Sequence, residues 1–312
     1  MPSTCSGCLY RDRAHEGRVL MSYVAGIKAI DTMIGFPHAD VRASYAKLFE
    51  QTRDQASLDE FEMPVEYMFL DVPEKGYGDS GETDPVKYTL SAMDRWGVEI
   101  GMISVGKGDV ADVALARFPE RFVGSFSPDP NDGVDAVRKL RAAHVAHDVR
   151  AVTFFPAGFQ PQVPINDRLM YPLYSTCVEL DLPVFINAGI PGPRVKSFCQ
   201  KVELVEDVLY DFPELNVVLR HGGEPWEALA VKLMVKWPNL FYSTSAFAPR
   251  YYPAAVLDYA NSRGADRLIY GGYFPMGLSL ERIMTEMRDV PLKDEVWTGF
   301  LRANAARLLK IS

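Results

Sequence analysis

Short apolar stretches alternate with helical patterns along most of the chain. Each stretch holds β-branched or aromatic residues, ends in a polar residue or a glycine, and precedes a loop. Strands that are buried on both faces of a parallel sheet have this pattern, and polar groups then lie at their carboxyl ends. Eight such strands between helices predict an α/β fold, a (β/α)8 TIM barrel, with a doubly wound sheet as the alternative. We predict strands at 27–33, 99–105, 121–126, 150–155, 183–187, 216–220, 240–244 and 267–271.

Two of the predicted helices carry recognisable capping residues. Asp84 followed by Pro85 predicts a helix start, and Gly97 predicts the end of that helix. Asn131 and Asp132 predict the start of another helix. Short polar side chains favour such positions because they accept hydrogen bonds from the first free backbone N–H groups.

The interval 36–83 is too long to be an ordinary barrel connection. It contains a helical pattern at 40–52 and a glycine-rich stretch at 76–81. Long loops on a barrel are commonly lids or binding surfaces. We therefore expect either a lid or a covered insertion, with 55–83 more mobile than the rest of the fold. For the remaining organisation we predict a disordered tail at 1–22 and one barrel domain at 23–312.

Composition agrees with one enzyme-sized domain. The chain has 312 residues, 48% of them hydrophobic, and a net charge of −8 without a Lys/Arg-rich stripe, which argues against a nucleic-acid ligand. It has neither an apolar run of the ~18 residues that a membrane span needs nor a signal-peptide pattern. Four cysteines are too few for a disulfide framework, and we expect no function for Cys5 and Cys8. These features predict a cytoplasmic protein.

Polar residues and glycines recur at the carboxyl ends of four predicted strands. These segments are Asp31-Thr-Met33-Ile-Gly35, Asn187-Ala-Gly189, His221-Gly-Gly223 and Gly271-Gly-Tyr273-Phe-Pro275.

In order and spacing, these segments resemble the amidohydrolase superfamily, specifically the branch related to aminocarboxymuconate-semialdehyde decarboxylase. The pattern of that family is Asp-x-His-x-His, His-x-Gly, His-Gly-Gly and Gly-Ser-Asp-x-Pro after the first, fifth, sixth and eighth strands. The resemblance covers residues 27–311 and implies a TIM barrel. Further matches are Met93-Asp94-x-x-Gly97-Val98, Asp211-Phe-Pro213-x-Leu215 and Asn304-Ala-x-Arg307-Leu-Leu309.

The resemblance also implies a divalent ion that activates water, but this chain departs from the pattern at the ligands. Met33, Gly35, Asn187 and Tyr273 occupy the four ligand positions. A thioether is a poor ligand for a hard ion, glycine offers no side chain, and a catalytic site requires about three strong protein ligands. We therefore predict no catalytic metal and no other cofactor.

Three residues are the candidate catalytic groups. His221 matches the family histidine that handles protons, and histidine is suited to proton transfer near neutral pH. Tyr273 either fills the space of the metal or acts as an acid or hydrogen-bond donor. Asp31 is either a structural acceptor or a catalytic acid. For His221, the alternative is a hydrogen-bonded core histidine.

The candidate substrate-binding residues are Asn187, Arg220, Glu224 and His38. Neighbouring strand residues point to opposite faces, so if His221 faces the barrel mouth we expect Arg220 to point outward and form a salt bridge behind the barrel. For His38 the alternative is a surface histidine. Further polar residues at strand ends are Thr153, Ser243 and Ser245.

Two classes of function remain open. The first is a metal-independent hydrolase or decarboxylase for a small organic acid or cyclic substrate, with His221 as general acid or base. The second is an inactive relative that binds a ligand or serves an assembly. The retained His221-Gly-Gly motif and the lid favour the enzyme, whereas the simultaneous loss of four ligands favours the inactive relative. The resemblance also implies a homodimer as an expectation, because relatives are often dimers.

Overall fold

The computed structural model describes residues 26–37, 48, 50–54 and 82–312. Eight parallel strands form one sheet in which each strand pairs with the next along the chain. Each predicted strand is found within a few residues of its expected place. The strands are β1 Ala29–Asp31, β2 Val98–Ser104, β3 Phe122–Phe126, β4 Val149–Phe154, β5 Val184–Asn187, β6 Val217–Arg220, β7 Leu240–Ser243 and β8 Leu268–Ile269.

Hydrogen bonds between the segments that follow β1 and β8 close the sheet on itself. Both the backbone N–H and the hydroxyl of Thr32 donate to the Tyr270 carbonyl, at 3.3 and 2.8 Å. The Gly35 N–H donates to the Phe274 carbonyl at 2.8 Å. Closure leaves no free sheet edge here, and the TIM barrel prediction is confirmed.

Helices lie between the strands and cover the outside of the barrel. In the range 82–312, the first helix begins after Asp84, whose side chain accepts from the N–H groups of Val86 and Lys87, and ends at Gly97 with φ of 76°. Both predicted caps of this helix are therefore confirmed. The helices are α1 Pro85–Trp96, α2 Val110–Arg117, α3 Val134–His147, α4 Tyr171–Glu179, α5 Val205–Asp211, α6 Glu227–Lys236, α7 Ala254–Ala260, α8 Leu280–Glu286, α9 Asp294–Thr298 and α10 Asn304–Leu309, with a π-helical turn at Gly299–Ala303.

The predicted start of α3 is wrong. Residues Pro130–Asp132 form a separate 3-10 turn that is capped by Asp129. Gly133, with φ of 56°, separates this turn from the helix, since that backbone conformation cannot continue a right-handed helix.

Apolar side chains pack in two layers on opposite faces of the strands. The larger layer lies between the strands and the helices and includes Leu219 and Tyr242. The smaller layer fills the barrel interior, where α10 contributes Leu308 and Leu309. The interior strand residues are Ile30, Ile100, Met102, Ala151, Phe185, Val218, Phe241 and Ile269. Because side chains two residues apart point to the same face of a strand, these positions also show which later residues of each strand point into the barrel.

Several predictions concern residues outside the described ranges. They are the tail at 1–22 with Cys5 and Cys8, most of the 36–83 insertion, the mobility of 55–83, and His38. Within the described ranges, no helix has the length and apolar character that a membrane crossing requires.

Candidate active site at the carboxyl ends of the strands

Asn187 and Arg220 are the last residues of two adjacent parallel strands. The register of β5 and β6 pairs Phe185 with Val218 and Asn187 with Arg220. Phe185 and Val218 belong to the barrel interior, and side chains two residues apart point to the same face of a strand. The side chains of Asn187 and Arg220 therefore enter the upper part of the barrel side by side.

The expectation that Arg220 points outward is wrong. Arg220 is buried, and its Nη2 donates to the thioether sulfur of Met33. The expectation assumed that the strand alternates regularly through His221. Instead β6 ends at Arg220, and His221 has φ of 60°, in the left-handed region. This turn of the backbone allows both residues to lie at the barrel mouth.

Burial sets the electrostatics of Arg220. It lowers the pKa of the guanidinium to about 10, and the nearby Tyr273 opposes this decrease in pKa. A group with this pKa remains charged at neutral pH. The site therefore holds a fixed positive charge.

Ser245 holds the imidazole of His221. The Ser245 Oγ lies 3.2 Å from Nδ1 of the ring and accepts from the His221 backbone N–H at 3.2 Å. The ring of Tyr273 packs edge-on against the imidazole, with 5.5 Å between ring centroids. These contacts fix the orientation of a partly exposed histidine and leave Nε2 without a partner among the described residues.

His221 is neutral in the free protein near pH 7. Burial lowers its pKa to about 3, and the charge of Arg220 adds to this effect, because both disfavour the imidazolium. The free protein therefore presents a neutral imidazole, which can accept a proton only weakly. Any ligand that neutralises Arg220 raises the pKa of His221 and makes the ring a stronger base.

Asp31 lies entirely within the protein and joins the first strand to the segment after the eighth. Its Oδ1 accepts from the N–H groups of Gly272 at 2.7 Å and Met33 at 2.9 Å. Burial raises its pKa to about 7, and hydrogen bonds from Gly272, Met33 and Tyr270 partly oppose the increase. Of its two alternatives, this geometry supports the structural acceptor, and a catalytic role for Asp31 stays a prediction.

Tyr273 is partly exposed and interacts with both His221 and Arg220. It packs against His221. Burial raises the pKa of its phenol and Arg220 lowers it. The phenol is therefore protonated at neutral pH and can donate a hydrogen bond.

The residues present do not fit the divalent ion of the resembled family. Within the described part of the chain, no three His, Cys, Asp or Glu side chains come together as a metal-binding group. The ligand positions instead offer the Met33 thioether, the Asn187 amide and the Tyr273 phenol. The Arg220 guanidinium contacts Met33, and a fixed cation there repels a second one. The donor chemistry and the charge therefore both disfavour a metal.

Glu224 and His38 are not brought into this cluster. The Glu224 side chain is exposed, and its backbone carbonyl accepts from Ile190 at 2.8 Å, which joins the loops after β5 and β6. His38 lies outside the described residues. Substrate binding by either residue stays a prediction.

Tyr270 is a site residue that sequence reasoning missed. It ends an apolar stretch and is completely buried, so nothing in the pattern distinguishes it from a core tyrosine. Its side chain nevertheless interacts with Asp31. Ser245 was one of two candidate serines at the end of β7, and only the structure shows that Ser245 contacts His221.

Comparison with known proteins identifies the family of the chain. The profile of a family described as amidohydrolase matches residues 54–311. The chain belongs to this family. Among curated proteins, it is similar to 2-keto-4-carboxy-3-hexenedioate hydratase from Sphingobium sp. (strain NBRC 103272 / SYK-6), with 26% identity over 125 residues. The alignment covers 34% of this chain and 36% of the relative, so the chain matches only about a third of that protein.

Two solved structures share the fold. An uncharacterized TIM-barrel protein, Bb4693 from Bordetella bronchiseptica, matches with a TM-score of 0.72 and 22% identity, covering 90% of this chain and 98% of that one. The 5-carboxyvanillate decarboxylase LigW from Sphingomonas paucimobilis matches with a TM-score of 0.63 and 16% identity, covering 92% and 100%. At these identities, the two structures establish the barrel and leave the reaction open.

Proposed function

We propose that this chain is a metal-independent hydrolase or decarboxylase that acts on a small organic acid. The observation that carries the proposal is the contact of the Arg220 guanidinium with Met33, which puts a positive charge among the residues at the ligand positions. A fixed cation can bind a substrate anion and stabilise negative charge that develops during the reaction. In this proposal, the Arg220 guanidinium stabilises the negative charge that a metal ion stabilises in the resembled family.

The similar proteins support an acid as substrate. One is a hydratase of 2-keto-4-carboxy-3-hexenedioate and the other is a decarboxylase of 5-carboxyvanillate. Both names describe substrates with carboxyl groups. A guanidinium is suited to such a substrate because its planar N–H groups match the two oxygens of a carboxylate.

We assign proton transfer to His221. Its Nε2 is the nitrogen that remains available when Ser245 holds Nδ1. A substrate carboxylate next to Arg220 removes part of the effect that lowers the pKa of His221. Substrate binding therefore prepares the base, and Tyr273, which packs against the ring, can supply a hydrogen bond.

The test is turnover of a panel of small carboxylic acids and lactones by the full chain, with EDTA and with added Mn²⁺ or Zn²⁺. Carbon dioxide release and pH-stat titration detect decarboxylation and hydrolysis. We expect turnover that neither EDTA nor metal changes, with well under one equivalent of metal per chain by elemental analysis. Loss of turnover in EDTA and its recovery with metal would contradict the proposal. Binding of acids without any turnover would favour the inactive, ligand-binding alternative.

A matched pair of histidine variants separates catalysis from general damage. His144 lies in α3, and its Nδ1 is 3.0 Å from the Val149 carbonyl, away from the strand ends. His144→Gln should keep wild-type turnover, whereas His221→Gln should lose most of it. Equal effects of the two substitutions would remove the assignment of His221.

A further inference from the structure

Arg220 is a buried cation without an acidic partner in the described part of the chain. It is 7% exposed, its side chain contacts the sulfur of Met33, and its Nε has no hydrogen-bond partner among the described residues. None of the ion pairs formed within those residues includes it. A buried charge is strongly unfavourable unless an opposite charge accompanies it. Arg220 therefore favours an anion as its partner.

Asn187 and Ser243 place two more unsatisfied polar atoms on either side of Arg220. Asn187 is the register partner of Arg220 on β5, about 4.8 Å away along the sheet. On β7, Ser243 follows Tyr242, which pairs with Leu219, the residue before Arg220. Asn187 Oδ1 and Ser243 Oγ are buried and have no hydrogen-bond partner among the described residues. Three adjacent strands thus direct unsatisfied polar groups toward one place.

A glycine on the neighbouring strand segment lets the backbone approach Ser243 closely. A Cβ atom at Gly271 would lie 2.6 Å from Ser243 Oγ and 3.0 Å from Ser245 Cβ. Any larger residue would therefore press against the serines. The backbone at Gly271 therefore lies directly beside the buried Ser243 hydroxyl on the β8 side.

The unsatisfied atoms of Arg220, Asn187 and Ser243 indicate which chemical groups a ligand needs at this place. The Nε–H of Arg220 requires an acceptor, and a carboxylate satisfies both its hydrogen bond and its charge. Asn187 Oδ1 requires a donor, which a carboxylate lacks but a hydroxyl on the neighbouring carbon provides. Ser243 can donate to the same carboxylate or accept from the hydroxyl.

We infer that Arg220, Asn187 and Ser243 form a subsite for a 2-hydroxycarboxylate, with the carboxylate on Arg220 and the hydroxyl on Asn187. The inference rests on the proposed function in that it names the substrate class of the same site. The subsite can also be tested independently of the proposed function, because ligand binding can be measured without turnover.

The probes are three small molecules of matched size: lactate, propionate and propionamide. Isothermal titration calorimetry of the full chain measures their affinities. Propionate should bind and the uncharged propionamide should not, since the partner of Arg220 is a charge. Lactate should bind about 2- to 12-fold more tightly than propionate, the ratio expected for one hydrogen bond of 0.5–1.5 kcal/mol. Equal affinity for propionate and propionamide, or for lactate and propionate, would overturn the assignment of the charge or of the hydroxyl.

Two substitutions test the residues. Arg220→Met should weaken lactate binding at least tenfold, because a hydrogen bond to a charged group is lost. Asn187→Asp keeps the size of the side chain but supplies a carboxylate next to Arg220, which competes with the carboxylate of lactate. It should therefore also weaken lactate binding at least tenfold. This second variant keeps the test valid if Arg220→Met does not fold. Arg121→Met is the control, since Arg121 is paired with Asp94 on the outside of the barrel. Unchanged lactate affinity in Arg220→Met or in Asn187→Asp would overturn the subsite.

The subsite and the proposed function can fail separately. Arg220-dependent lactate binding without turnover of any acid supports the subsite and contradicts the enzyme. Turnover that survives Arg220→Met, in a protein that does not bind lactate, supports the enzyme and contradicts the subsite. Phosphate or chloride binding as tight as lactate binding would make the subsite a general anion site and overturn its specificity.

Discussion

Replacing Arg220 by methionine should make the protein more stable. Burial lowers the pKa of the guanidinium to about 10, against an ordinary value of about 12.5. One pKa unit corresponds to about 1.4 kcal/mol, so keeping the charged form in this place costs about 3 kcal/mol. Methionine removes the charge and keeps an apolar chain beside Met33. We therefore expect the free energy of unfolding to rise by up to about 3 kcal/mol.

The assay is urea unfolding of wild type and variant at pH 7 without carboxylates. Arg121→Met is the matched control, because Arg121 donates to Asp94 and to the carbonyls of Glu99 and Val98. That substitution removes satisfied bonds and should lower stability, opposite in sign to Arg220→Met. A loss of 1 kcal/mol or more in Arg220→Met would refute the reasoning, since it would identify Arg220 as a structural residue with a partner of its own. Removal of a functional charge can stabilise a fold at the cost of activity, so we expect Arg220→Met to gain stability and lose ligand binding.

Three further predictions concern neighbouring groups. Asp31 has a folded pKa of about 7, above its unfolded value of about 3.9, so its stabilising contribution is present at low pH and disappears as the pH rises through 7. The stability of Asp31→Asn relative to wild type should therefore increase by about 3 kcal/mol between pH 4 and pH 7. A difference independent of pH in paired urea titrations would count against the buried acid. His221→Gln should reduce kcat about 10²–10⁴-fold on the acid that the protein turns over, with lactate affinity nearly unchanged. A wild-type kcat in this variant would reassign proton transfer to Tyr273. Gly272→Ala should lower the free energy of unfolding by about 1–3 kcal/mol, because the added Cβ overlaps Asp31 Oδ2. Gly35→Ala is the control and should be close to neutral, since the nearest neighbour of its added Cβ lies at 3.7 Å. Equal effects of the two substitutions would show that the segment after β8 shifts to accommodate the methyl group.

The strands and their order were predictable because a parallel barrel imposes a strong pattern on the sequence. Strands covered on both faces are continuous apolar runs, and loops and helices separate them at regular intervals. The cap at Asp84 was equally readable, since the carboxylate, Pro85 and Gly97 agree. The start of α3 was not, because Gly133 interrupts a polar run that resembles a cap.

The orientation of Arg220 could not be predicted for a related reason. Val217, Val218 and Leu219 are all apolar, so β6 has no alternation from which the inward face can be read. Only the register with β5 shows that Val218 and Arg220 point into the barrel. The left-handed backbone at His221 was also unexpected, since glycines rather than histidines favour that conformation. Sequence reasoning therefore named the residues of the site but assigned the most important charge to the wrong side of the barrel.

The central claim is that a guanidinium binds an acid at the position of a divalent ion, and a crystal structure of the full chain grown with lactate tests it most directly. We predict a lactate oxygen 2.7–3.2 Å from Arg220 Nε, the range of ordinary hydrogen bonds, with the lactate hydroxyl directed at Asn187 Oδ1. An ion at the barrel mouth with Arg220 turned away from it, or lactate bound only elsewhere, would contradict the account.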